Sequence, residues 1–255
     1  MHNDWFQIGP FTVHGYGVMM AVGILSAIAL AERLSKKHGL EYKKIDNFAF
    51  VTIISGFLCA KLLYVLTVLP QFFQNPLSVL GGGGWVVYGA IIGGLLGAYW
   101  YCKKHGWDYV KVLNIIIVTL PLAQAIGRIG CYFAGCCYGI ETDAWYGVLF
   151  PKESLCPTGH KVIPTQILMA IGDYIIFVIL YYRLEKLKKI DKNVAVYLIL
   201  YSAGRFFMEF IRGDRARGFV GVLSTSQFVG IFAFLFGLIL YFRKNKNDFT
   251  KSTKI

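Results

Sequence analysis

Tyr201, Arg205, Glu209 and Arg212 follow one another at intervals of four, four and three residues, so on an α-helix they share one face. They sit in and just beyond an apolar run over 193–211. A charge placed mid-helix in a bilayer costs on the order of 2.5–3.5 kcal/mol on insertion scales, and such residues persist where they pair or line a wet cavity. Two readings follow: an Arg205–Glu209 pair that locks helix packing, or a polar site at membrane depth. Arg128, in the run Ala125-Ile126-Gly127-Arg128-Ile129-Gly130-Cys131, strengthens the second. Gly127 and Gly130 permit close backbone approach by a neighbouring helix or a ligand. Arg128 itself is either a clamp for an anionic headgroup or a side chain that snorkels to the interface. Arg212, with Arg215 and Arg217 after it and only Asp214 to offset them, adds phosphate recognition, since a guanidinium pairs bidentately with phosphate oxygens. Interfacial anchoring is the alternative for these three.

Other residues carry weaker signals. His14-Gly15-Tyr16-Gly17 opens the first apolar segment, where His14 and Tyr16 serve either as interfacial anchors or in a site. Gly81 to Gly84 form a loop expected to be flexible, leading into Trp85-Val86-Val87-Tyr88. No Gly-Lys-Ser/Thr follows, which argues against a nucleotide phosphate loop. Tyr88 stands at the loop–helix junction and either anchors at the interface or faces a site. Gly89, Gly93 and Gly97 recur every four residues, the mark of a close-packing helix face. Cys131, Cys136 and Cys137, with Cys156 beyond, leave three readings open: a disulfide, a metal site, or plain small residues. The adjacent pair lacks the spacing of common zinc sites. Cys59 and Cys102 lie in apolar runs and read as packing residues.

The elements that position these residues are membrane helices. Of 255 residues, 56% are hydrophobic and 16% charged, against about 45–50% and about 25% for an average soluble chain. The excess comes in blocks long enough to cross hydrocarbon, which takes roughly 20 residues each. Seven blocks run over 13–34, 46–69, 85–102, 109–134, 164–184, 193–211 and 223–242. The fold expected is all-α, a polytopic membrane protein of one domain spanning residues 1–255. Pro121 should kink the fourth helix. Residues 1–12 show neither a basic n-region nor a small-residue cleavage site, so the first block is expected to remain as a membrane helix.

A net charge of +12 raises nucleic acid as a partner, but the distribution argues for a membrane surface. Basic residues fill alternate gaps: Arg33, Lys36, Lys37, Lys43 and Lys44; then Lys103, Lys104 and Lys111; then Arg183, Lys186, Lys188, Lys189 and Lys192; then the tail from Arg243. The gap over 70–84 has no charge. By the positive-inside rule the amino terminus lies outside and the carboxyl terminus in the cytoplasm.

The ordered set of motifs resembles the phosphatidylglycerol–prolipoprotein diacylglyceryl transferases of bacteria, over nearly the whole chain. It runs from Phe6-Gln7-Ile8-Gly9-Pro10 and His14-Gly15-Tyr16-Gly17 through Tyr88-Gly89-Ala90-Ile91-Ile92-Gly93, Gly127-Arg128-Ile129-Gly130 and Gly139. It continues with Pro164-Thr165-Gln166, Tyr201 to Arg212, and Leu223-Ser224 with Gln227. The resemblance implies transfer of the diacylglyceryl group of phosphatidylglycerol to a lipobox cysteine of a prolipoprotein, in a bacterial cytoplasmic (inner) membrane, without cofactor or metal. It implies that Arg128 and Arg205 hold the headgroup, with Arg212, Gly127 and Gly130 beside them. Tyr16, Tyr201, Glu209 and Arg212 would belong to the essential polar site, and Tyr88 or His14 would relay the proton. The sequence departs from the family pattern at Tyr88, Cys131, Ala134, Cys136, Ile163 and Met169, which leaves a paralogue with another acceptor as an alternative. A transporter using the Arg205–Glu209 pair is the alternative of a different class.

Overall fold

The computed structural model describes residues 3–9, 11–151, 154–156, 159–213 and 218–243. Arg215, Arg217 and the basic tail after Arg243 lie outside them. The chain opens with an antiparallel hairpin, β1 (Asp4–Ile8) and β2 (Phe11–His14), followed by α1 (Gly15–Lys37), α2 (Ile45–Thr67), the short α3 (Leu69–Gln74) and α4 (Pro76–Gly81), and α5 (Val87–His105). Then come α6 (Tyr109–Ile116), α7 (Leu120–Ala134), α8 (Thr165–Glu185), α9 (Asn193–Met208), a two-rung hairpin of β3 (Phe219–Val220) and β4 (Leu223–Ser224), and α10 (Thr225–Phe242). The two hairpins depart from a purely helical expectation. Each is a two-stranded sheet that leads directly into a long helix.

Among the described residues, six helices are long and apolar enough to cross a membrane: Gly15–Lys37, Ile45–Thr67, Tyr109–Ala134, Thr165–Glu185, Asn193–Ile211 and Thr225–Phe242. The segment expected over 85–102 is also a helix, α5, but it is not among the six. Gly89, Gly93, Gly94 and Gly97, with Lys103 and Lys104 at its end, dilute its hydropathy. The fourth expected segment is broken at Ile117–Thr119, a 3₁₀ turn that joins α6 to α7. Pro121 sits in the first turn of α7, where its missing N–H removes a bond to the carbonyl four residues back.

The chain forms two compact units, residues 28–113 and the remainder. In the first, α5 lies against α2 through its glycine face. A Cβ at Gly89 would collide with the Cys59 carbonyl, at Gly93 with the Ser55 carbonyl and Cys59 side chain, and at Gly97 with the Ser55 hydroxyl. Small residues of this kind let membrane helices approach backbone to backbone. The glycine loop is tethered by Lys61, which donates to the carbonyls of Gly82 (2.7 Å) and Gly84 (3.3 Å). Its ammonium also lies 4.9 Å from the Trp85 ring centre, a cation–π distance.

In the second unit α7, α8, α9 and α10 pack around buried polar side chains. Fully buried Asn193 donates to the Asn114 carbonyl (3.1 Å), and the Asn114 amide oxygen accepts from the Val194 N–H (3.0 Å). The start of α10 is a capping box, Ser224 accepting from Gln227 N–H and Gln227 returning to Ser224 N–H. Such a box satisfies two of the donors that a helix start leaves orphaned. Cys102 is fully buried, and Cys59 packs on Gly93, as their apolar surroundings predict.

Candidate active site

The four residues of the α9 face stay together. Arg205 Nη2 lies 2.9 Å from Glu209 Oε2, and Arg212 Nη1 lies 3.6 Å from the same oxygen. The Glu209 side chain is 1% exposed and those of Arg205 and Arg212 13% and 9%, so one carboxylate holds two nearly buried guanidinium groups. Arg205 also donates to the Ser226 hydroxyl at 3.2 Å, from the first turn of α10. Arg212 leaves the helix with extended backbone and pairs as an isolated bridge with Gly139. That pairing depends on glycine, because a Cβ there would press on the Ile163 and Ile211 carbonyls.

Arg128 belongs to the same polar cluster. Its Nε lies 3.9 Å from Asp173 Oδ2 on α8, an ion pair too long to be a hydrogen bond. Asp173 in turn acts electrostatically on both Arg128 and Arg205. The Tyr201 phenol lies close enough to act on Arg128. Its ring stacks on Tyr197 with centres 5.4 Å apart, and Tyr197 donates to Gln124 Oε1 at 2.9 Å. Three cations therefore share two buried carboxylates, leaving one net positive charge where an anion would be stabilised. Asp173 had no signal in the sequence beyond being an acidic residue within an apolar segment, a default pointer to function.

Gly127 and Gly130 face α1, not an open space. A Cβ at Gly130 would lie 3.1 Å from the Met19 side chain and 3.2 Å from the Tyr16 carbonyl, and one at Gly127 would lie 3.3 Å from the Met20 sulfur. Their role is to seat α7 against α1 and thereby fix Arg128. Tyr16 opens α1, with its N–H donating to Asn3 Oδ1 at 3.2 Å. His14 closes the hairpin opposite Asp4, and its Nδ1 lies 2.6 Å from Asp4 Oδ1. A carboxylate so placed fixes the orientation and tautomer of an imidazole. His14 and Tyr16 line a cavity of about 360 Å³ together with Asn3, Ala134, Cys136 and Leu155. Asp4 escaped the sequence reading because only the hairpin register brings it to His14.

The loop after α7 brings Cys131, Cys136 and Cys137 together, their sulfurs all within 4.8 Å of one another. No disulfide joins any of the six cysteines. Thr165 Oγ1 donates to the Cys137 carbonyl at 2.6 Å and Gln166 Nε2 to the Cys136 carbonyl at 2.7 Å, so the Pro164-Thr165-Gln166 motif pins this loop. Hydrogen bonds from the Cys131 and Cys136 thiols, with Arg212 and Arg128 nearby, hold the Cys137 thiol below the usual range. Tyr88 lies in the other unit, in the first turn of α5, 40% exposed.

A family model described as prolipoprotein diacylglyceryl transferase matches residues 3–243. The chain is 41% identical over 237 residues to the phosphatidylglycerol–prolipoprotein diacylglyceryl transferase of Clostridium tetani, covering 92% of this chain and 95% of that one. It is 42% identical over 237 residues to a second such protein, from Clostridium perfringens, covering 92% of each. A third, from Clostridioides difficile, is 32% identical over 252 residues, covering 96% of this chain and 98% of the relative. A family model matched over residues 3–243, and relatives of this identity covering 92% or more of the chain, mean that this chain belongs to the prolipoprotein diacylglyceryl transferase family.

Proposed function

We propose that the protein transfers the diacylglyceryl group of phosphatidylglycerol to the thiol of a prolipoprotein's lipobox cysteine, forming a thioether and releasing glycerol phosphate. The observation that carries this reading is the cluster of Arg128, Arg205 and Arg212 around Asp173 and Glu209, at membrane depth and with one cation in excess. The names of the relatives from three clostridial species support the substrates.

Arg128 and Arg205 hold the phosphodiester, with Arg212 contributing to the same field. Glu209 and Asp173 orient the guanidinium groups. The acceptor thiol loses its proton to His14, which Asp4 orients; this partner favours His14 over Tyr88 for the role. The thiolate, the reactive form of a cysteine nucleophile, attacks the glycerol carbon that bears the phosphate. The C–S bond forms as the C–O bond breaks, and the electron pair leaves with glycerol phosphate. Charge building on that leaving group is met by guanidinium groups already in place, the electrostatic contribution that usually dominates such catalysis. Tyr16 and Tyr201 line the site and Tyr88 sits at the lipid interface.

The chain works as one domain over residues 1–255 in a bacterial cytoplasmic membrane. It crosses seven times, α5 being the third crossing, with the amino terminus outside and the carboxyl terminus in the cytoplasm. Alternating basic gaps support that orientation. The deciding experiment places purified protein in phosphatidylglycerol vesicles with a lipobox peptide and looks for the diacylglyceryl-peptide mass. Product that disappears with Arg128→Ala is expected; folded wild-type protein that gives none, beside an active relative, would refute the reading.

A further inference from the structure

The reaction proposed above uses arginines, carboxylates and a histidine, and leaves three clustered thiols without a task. Cys131 lies in the last turn of α7, Gly135 reverses the chain with φ 72°, and Cys136 N–H returns to the Cys131 carbonyl at 3.2 Å. Cys137 then takes φ 59°, a left-handed conformation uncommon for a residue with a Cβ. Fully buried Thr165 and Gln166 hold the carbonyls of Cys137 and Cys136. The three sulfurs are thus fixed by a helix end, a glycine reversal and two side chains from α8, which is how a preorganised ligand set is built.

We propose that Cys131, Cys136 and Cys137 form a three-thiolate site for a thiophilic d10 metal ion of the zinc class, with the fourth coordination position open to the neighbouring cavity. The sulfurs lie within 4.8 Å of one another. A zinc–thiolate bond of about 2.3 Å needs sulfurs about 3.8–4.0 Å apart, which small side-chain rotations supply. A disulfide would need one pair to close to about 2.05 Å. Thiolates select soft and borderline ions, and three of them around a dication carry one net negative charge. Arg128 and Arg212 both act electrostatically on this loop and balance that charge. All three cysteines are partly accessible, unlike a set packed into a core. Cys136 lines the cavity of about 360 Å³ shared with His14 and Tyr16. Three protein ligands and one open position is the pattern of a working zinc centre, whereas structural sites are closed by four.

The test uses full-length, untagged protein purified without oxygen, in detergent and with a reductant. It is titrated with Zn²⁺ and, separately, with Co²⁺. One ion per chain is expected, with a thiolate-to-cobalt charge-transfer band in the near ultraviolet. Bound Zn²⁺ should protect Cys131, Cys136 and Cys137 from alkylation, while Cys59 reacts equally with and without the ion. That comparison is read by peptide mass on wild-type protein and needs no variant to fold. Cys137→Ser should weaken binding by at least tenfold and Cys59→Ser should leave it unchanged. The proposal is overturned by alkylation of the three thiols that Zn²⁺ does not change, by a disulfide among them in anaerobically isolated protein, or by undiminished metal binding in the triple serine variant. Lipid turnover is measured separately: a chain that turns over lipid but takes no metal defeats this inference alone. One that takes the metal but makes no product defeats the transferase reading alone.

Discussion

Arg128 and Arg205 each carry five N–H donors in a fixed fork, and that geometry makes them testable one at a time. Arg128→Ala or Arg205→Ala should lower turnover by roughly 100- to 1000-fold, the usual cost of deleting one donor to developing charge. Arg→Lys at either position should recover only part of it, because an ammonium cannot pair bidentately with phosphate. Product formation in proteoliposomes reads both. His14→Ala should cost roughly 100-fold or more in kcat with little change in KM for phosphatidylglycerol, and Asp4→Asn should cost less. A KM effect instead would place His14 in lipid binding. Glu209→Gln leaves Arg205 and Arg212 as adjacent, nearly buried cations. Breaking one member of such a buried set costs about 3 kcal/mol or more, which a thermal melt in detergent would register. The α9 residues were legible beforehand because helical periodicity alone puts 201, 205 and 209 on one face. Asp4 and Asp173 were not, since their partners lie 10 and 45 residues away and only hairpin register and helix pairing join them.

Among the elements, the α2–α5 pair offers the sharpest contrast. Gly93 sits against the Ser55 carbonyl and the Cys59 side chain, whereas the nearest atoms to a Cβ on Gly94 are 3.7 Å away on Thr52. Gly93→Val must force the helices apart, and overpacking of this kind costs about 1–3 kcal/mol or more. Gly94→Ala should be nearly silent. Yield of monodisperse protein and its melting temperature distinguish the two, and equal behaviour would remove the packing role given to this face. The four-residue glycine period announced the face in the sequence, because such spacing has one geometric meaning on a helix. The tether of the glycine loop by Lys61 had no such signature: a lysine inside an apolar run says only that it must find a partner, not which. The break at Ile117–Thr119 was foretold by Pro121, although its form as a 3₁₀ turn was not.

For the molecule as a whole, the distribution of charge makes a topological prediction. With Gln74 in an uncharged gap and Lys104 in a basic one, Gln74→Cys should take a membrane-impermeant maleimide in intact cells. Lys104→Cys should take it only after permeabilisation. The opposite pattern would invert the orientation. Hydropathy revealed a polytopic helical chain, and six of the expected segments contain helices long and apolar enough to cross a membrane, because each must satisfy its backbone within hydrocarbon. α5 shows where that signal thins: glycines chosen for packing lower the hydropathy of a helix that the fold still needs. The two hairpins were invisible to hydropathy, being short and set at the very start of apolar runs.

The left-handed turn at Cys137 has a consequence for how substitutions there should behave. A side chain in that region of backbone space costs roughly 1–2 kcal/mol per residue, a cost glycine avoids. Cys137→Gly should therefore melt at or above the wild-type temperature, while Cys137→Ala, which keeps the strained backbone and loses the sulfur, should melt below it. A position where the most comfortable residue is glycine and the residue present is cysteine trades rigidity of the chain for possession of a sulfur. The gain must then be counted in chemistry, since the fold would be better served without it.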